Sequence, residues 1–182
     1  VFSSDNWSDR YLQKTIGSKE EDRFIATHDL ELFSWGVRFF KELQKEEYGV
    51  AVSPKTGEII GFSHLIEDVE ARPDIGKDHA RKKAQEFLTQ SFGMDLEQFD
   101  FHEEKINKYD NRIDYAFSWE KKNVYIPWKK DEGGAKLLIG AVISGEEVRH
   151  FYKNNLDVPE KFIRYIENSL TLGEYLSGFS VL

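Results

Sequence analysis

Histidines, carboxylates and guanidinium groups are the side chains of this sequence that could do chemistry, and their spacing decides what kind. The five histidines are His28, His64, His79, His102 and His150. None stands in the His-Glu-x-x-His spacing that sets two imidazoles on one helix face; the nearest approach is His102-Glu103-Glu104. A zinc site needs three or four converging ligands, and no local spacing supplies them. His64 ends an alternation of inward-facing residues and reads as a hydrogen-bonded, partly buried imidazole. The acidic run Asp95, Glu97, Asp100, Glu103 and Glu104 could hold a general acid and base, but no nucleophile stands beside it, so it reads as a solvated surface.

Arg38, Arg112 and Asp114 differ, because each falls opposite the apolar face of an alternating segment. If that second face is covered, Arg112 and Asp114 are partly buried and must find partners, as a structural ion pair or as a ligand site. Most tryptophans and phenylalanines, including Trp35, Trp119, Phe33, Phe39 and Phe117, lie on apolar strand faces and read as core. Trp128, between Pro127 and Lys129-Lys130, is the aromatic expected to be exposed. The candidate polar or ligand cluster is therefore Arg38, His64, Arg112, Asp114 and Trp128, with no catalytic, cofactor-binding or metal-binding residue assigned.

Composition narrows the classes further. There is no cysteine among the 182 residues, which removes disulfides, thiolate catalysis and cysteine-ligated metals. Gly133-Gly134 sits in an acidic loop, not between a strand and a helix, so it is no phosphate cradle. A formal net charge of −8 repels phosphate backbones and anionic lipid unless a local basic patch intervenes. The expected partner is a peptide or protein, with no nucleic acid and no direct membrane insertion. The longest apolar run, Leu137 to Ile143, is far too short to span a bilayer. The sequence begins at Val1 with neither a methionine nor a signal-peptide pattern, and is expected to be a fragment of a longer protein.

The elements that must position these residues read as α+β. Tyr48 to Ile66 is the clearest: alternating Tyr48, Val50 and Val52, the turn Ser53-Pro54-Lys55-Thr56-Gly57, then Ile60, Phe62, His64 and Ile66 on one face. Ser8 to Ile16 predicts a short helix, Ser18 to Asp22 a polar connector, and Leu32 to Lys41 a strand. Ala80, Ala84, Phe87, Leu88 and Phe92 recur at helical spacing over 78–92, with Asp78 as the expected cap and Gly93 as the stop. Phe99 to Ile106 and Arg112 to Glu120 predict strands, and Lys136 to Ile143 with Glu147 to Lys153 a second hairpin. Pro159 opens a closing helix carrying Phe162, Ile163, Ile166 and Leu170. Val50 to Phe62 echoes Ala141 to Phe151, each an apolar strand, a serine, a glycine–glutamate turn and a strand reaching phenylalanine.

The Pro54-x-Thr56-Gly57-Glu58 turn resembles the hairpin of PepSY-type domains, small α+β units of bacterial extracytoplasmic proteins; Ser53 stands where aspartate is usual. Further matches come in order: Trp35-Gly36-Val37-Arg38-Phe39-Phe40, then His64, then Ala80 to Leu88, Arg112 to Glu120, and Val158-Pro159. Together they resemble the extracytoplasmic N-terminal region of bacterial CPBP (CAAX-type) intramembrane proteases over roughly Asp29 to Phe162. The resemblance implies that catalysis lies elsewhere in the parent. Phe24-x-x-x-His28 and His150-x-x-x-Asn154 match fragments of that family's motifs, but Glu20-Glu21 and Glu146-Glu147 lack the arginine that should follow. The expectation is an α+β chain with antiparallel sheets and helices packed on one face. It would form two PepSY-like units of a helix plus three or four strands, 1–72 and 73–182. Its expected role is a non-catalytic extracytoplasmic sensing, regulatory or peptide-binding module of a larger membrane protein, whose membrane domain would be one partner. The alternative is an independent secreted or periplasmic enzyme or carbohydrate-binding protein with an aromatic-lined groove.

Overall fold

The structure is a computed structural model; it describes residues 1–129 and 132–178, with side chains of the closing helix through Ser169. Lys130 of the Lys129-Lys130 pair and the side chain of Leu170 lie outside the described residues. The chain runs β1 (Phe2–Ser4), α1 (Asn6–Thr15), α2 (Ser18–His28), β2 (Phe33–Phe40), β3 (Glu47–Val52), β4 (Ile59–Leu65), α3 (Lys77–Phe92), β5 (Phe99–Lys108), β6 (Ile113–Pro127), β7 (Gly134–Ser144), β8 (Glu147–Asp157) and α4 (Glu160–Gly178). Every pairing is antiparallel, and the eight strands make one sheet in the order β1-β2-β3-β4-β8-β7-β6-β5. The fold is α+β. The β3–β4 hairpin forms as its turn chemistry dictates, with Gly57 at φ 74° and the Ser53 amide donating to the Glu58 carbonyl at 2.8 Å.

Side-chain alternation along β7 explains where the helices go. Ala135, Leu137, Ile139, Ala141 and Ile143 are all buried on one face and run through two adjoining cores. Over one end sits α3, whose Ala80, Ala84 and Leu88 present a smooth stripe to Tyr115, Phe117, Trp119 and Phe151. Over the other end Tyr11 and Leu12 of α1 and Phe162 of α4 pack on Ile126, Leu137 and Leu156. Asn123 (φ 59°) in β6 and Asn154 (φ 51°) in β8 sit at or beside breaks in register, a left-handed conformation that asparagine tolerates better than most residues. These breaks let long strands bend so that one face meets both helix groups.

Three local expectations are corrected. The segment expected to be a polar connector, Ser18 to Asp22, is the first half of α2, which follows α1 directly across Gly17 at φ 80°. Gly76, not Asp78, precedes the first turn of α3 as its cap. Phe33, Trp35 and Phe39 are not core: they are 47%, 52% and 57% exposed, because α3 lies over the β6–β8 end and leaves this end of the same face bare.

Candidate functional site

The face of the sheet opposite α3 carries many small residues. Because the strands are in register, its side chains fall in two transverse rows. The first is Gly36, Ala51, Gly61, Tyr152, Gly140, Ser118 and Glu103; the second is Arg38, Gly49, Ser63, His150, Val142, Ala116 and Lys105. Between β2 and β8 these rows floor an open cavity of about 550 Å³, walled by Leu30 and Glu31 on one side and by His150, Tyr152 and Lys153 on the other. That size is in the range of small-ligand and short-peptide sites.

Tyr152 is the wall of this trough and is held by what lies beneath it. A Cβ on Gly140 would come within 2.5 Å of its ring, so the ring occupies the space that any other residue there would fill. Its hydroxyl pairs with Ser118, and burial pushes its pKa up to about 12, so it is a neutral phenol. Beside it His150 is open by surface area yet sits low between strands, where desolvation and the Arg149 charge hold its pKa below the ordinary value. A neutral imidazole carries one donor and one acceptor. Ser34, Ser63 and His150 make no side-chain hydrogen bond to other described residues, so three polar groups face the cavity ready for a ligand.

The sequence-predicted candidates fall in three places. Arg38 is on the trough rim, where its guanidinium pairs with Glu47 and lies 4.7 Å from the Phe40 ring. His64 faces the α3 side: its Nδ1 is 2.5 Å from Glu147, its Nε2 is 2.8 Å from Glu46, and Tyr48 stacks on its ring at 4.1 Å. The hydrogen bond from His64 is the leading cause of the lowered pKa of Glu46. Arg112 and Asp114 are buried and bonded to each other at 3.2 Å, and Arg112 also donates to the carbonyls of Glu67, Asp68 and Glu70. Arg149 joins these groups, donating to Asp114 at 2.8 Å and to the His64 carbonyl at 3.1 Å. The loop after β4, in the 1–72 stretch, receives Arg112, and Arg149 of β8 reaches Asp114. Trp128, expected to be exposed, is half-buried among Tyr11, Phe162 and Tyr165, with its indole nitrogen buried and unpaired among the described residues.

The arrangement offers hydrogen bonds and close approach. Among the described residues no cluster of histidine and carboxylate groups has metal-site geometry. The Phe24 and His28 rings meet at 4.5 Å, tilted by 59°, and Asn154 donates to the His28 carbonyl at 3.1 Å, so these three residues of the two motif fragments are engaged in local structure. Sequence reasoning missed Tyr152, Gly140 and Arg149. The usable signal was the alternate face of β2, β3 and β4, Ser34-x-Gly36, Gly49-x-Ala51 and Gly61-x-Ser63, where small residues recur opposite the apolar stripe. Comparison with protein-family models, curated proteins and solved structures finds no match for this chain.

Proposed function

We propose that this chain is a non-catalytic extracytoplasmic module of a larger bacterial membrane protein, which the sequence resemblance makes a CPBP-type intramembrane protease. Its task is to hold an extended peptide or protein segment on the open face of its sheet. The observation that carries this reading is the trough: a floor of Gly36, Gly49, Ala51 and Gly61, with Ser34, Ser63 and His150 making no side-chain hydrogen bond among the described residues. A glycine floor lets a backbone approach closely, and the unpaired groups match the amide donors and acceptors of a peptide. From β2 to β8 the floor spans three strand spacings, about 14 Å, room for about four extended residues.

The reading is tested with a library of blocked octapeptides and the 182-residue chain, read by fluorescence anisotropy. Binding is expected, and Ala51→Leu, which fills the floor, should weaken it by about tenfold or more. Binding that Ala51→Leu leaves untouched, or no binding peptide in the library, sinks the reading. The exposed aromatic strip of Phe33, Trp35 and Phe39 on the other face favours a second reading, a carbohydrate-binding protein. Oligosaccharide binding lost in Trp35→Ala would support that one instead.

A further inference from the structure

The loop joining β2 to β3 carries apolar side chains on all its sides. Phe39 and Phe40 point to opposite faces of the sheet and are 57% and 63% exposed, while Leu43 at the tip is fully exposed. Leu43 has φ 62°, a conformation that bulky side chains rarely adopt, in a turn closed by the Gln44 amide donating to the Lys41 carbonyl at 3.1 Å. Phe39 continues the bare strip of Val37, Trp35 and Phe33 along β2, so the apolar surface runs from the tip down one face.

Charge at the tip departs from that of the chain. Arg38 is paired with Glu47, and Glu46 is hydrogen-bonded to His64. Of the rest, Lys41 and Lys45 flank Leu43 with no ion-pair partner among the described residues, against the single carboxylate of Glu42. Within the tip itself, Phe39 to Lys45, two lysines stand against one carboxylate, on a chain of net charge −8. A folded protein partner covers one face of a hairpin. Aromatic and leucyl side chains on both faces and at the tip, bracketed by unpaired lysines, suit a medium that surrounds the hairpin and offers phosphates at its boundary.

We infer that the β2–β3 hairpin tip, Phe39 to Lys45, dips into the interfacial region of an anionic lipid bilayer. Phe39, Phe40 and Leu43 enter the acyl boundary while Lys41 and Lys45 meet headgroup phosphates. This site is separate from the trough and stands whether or not the trough holds a peptide.

The test is flotation of the chain with phosphatidylcholine vesicles, with and without phosphatidylglycerol. Co-flotation is expected with the anionic vesicles and should weaken as salt rises. Leu43→Asn distinguishes a binding role from a structural one. Asparagine accepts positive φ, so the thermal midpoint should rise, while vesicle binding falls by about tenfold or more. Lys41→Glu with Lys45→Glu should abolish the preference for anionic vesicles without lowering the midpoint. No vesicle binding by the parent chain, or binding indifferent to both sets of changes, overturns the inference. So does a concentration-dependent dimer in light scattering that Leu43→Asn dissolves, since the tip would then serve a second copy.

Discussion

Glu21 is the residue whose surroundings most oppose its charge. It lies buried where α2 meets α1, across from Asp9, and burial, with Asp9 next, pushes its pKa to about 7. A carboxyl raised in this way binds more protons folded than unfolded between its ordinary value, 4.5, and about 7. Stability therefore falls as pH rises through that window, and above it the ionised pair is a standing cost. Glu21→Gln keeps the shape and the donor toward Asp9 but removes the charge. It is expected to add about 2 kcal/mol at pH 8 and to flatten the dependence, as read by thermal melts across the window. Asp114 is the opposite case, because it is the carboxylate between two guanidiniums. Asp114→Asn leaves the buried Arg112 with no full counter-charge beyond the exposed Asp68 at 3.8 Å, and should cost about 3 kcal/mol in chemical denaturation.

At the scale of elements, the β7–β8 pair owes its packing to one glycine. Gly140→Ala would drive the Tyr152 ring off the sheet, at about 1–3 kcal/mol, because a Cβ there falls inside the ring's own space. Removing the ring as well should relieve the conflict. The double variant Gly140→Ala with Tyr152→Ala is then less destabilised than the sum of the singles, by about 1 kcal/mol in a double-mutant cycle. Hairpins and helices of this kind were legible from sequence because turn residues and periodicity are local: Gly57 and Gly93 mark their ends, and Ala80, Ala84 and Leu88 mark a buried stripe. What was not legible depends on where elements land. Trp35 and Trp119 sit in equally alternating strands, yet one is bare and the other core, because α3 covers only one end of the sheet. For the same reason His64, Arg112 and Asp114 could be singled out, but not Arg149, which ties them together from β8. The trough was hidden because its floor is made of side chains that are small or absent, and hydrophobic patterning is blind to those.

For the whole molecule, the question is how strongly the two ends of the sheet are coupled. They meet where β4 pairs with β8, a ladder of only Gly61, Phe62 and Ser63 against Tyr152, Phe151 and His150. By contrast, β6 pairs with β7 along most of its length. The short seam is reinforced on the α3 side by Phe62, which meets Phe87 at 5.7 Å and Phe151 at 6.2 Å. Polar straps close its two ends, Arg149 to the His64 carbonyl and Lys153 to Asp29. A Cβ on Gly61 would stand 3.1 Å from the Phe151 carbonyl, so the strands approach closely here and little can be added. Opening this seam exposes far less apolar surface than opening the β6–β7 core, so it should be the lower-energy event. Phe62→Ala is therefore expected to lower protection of β2 and β3 amides in native-state hydrogen exchange by about 2 kcal/mol, while β6 and β7 amides hold theirs. That outcome would make the β2–β4 end of the sheet a cooperative unit separate from the β6–β7 core. Equal loss of protection in all four strands would instead make the eight-stranded sheet a single unit.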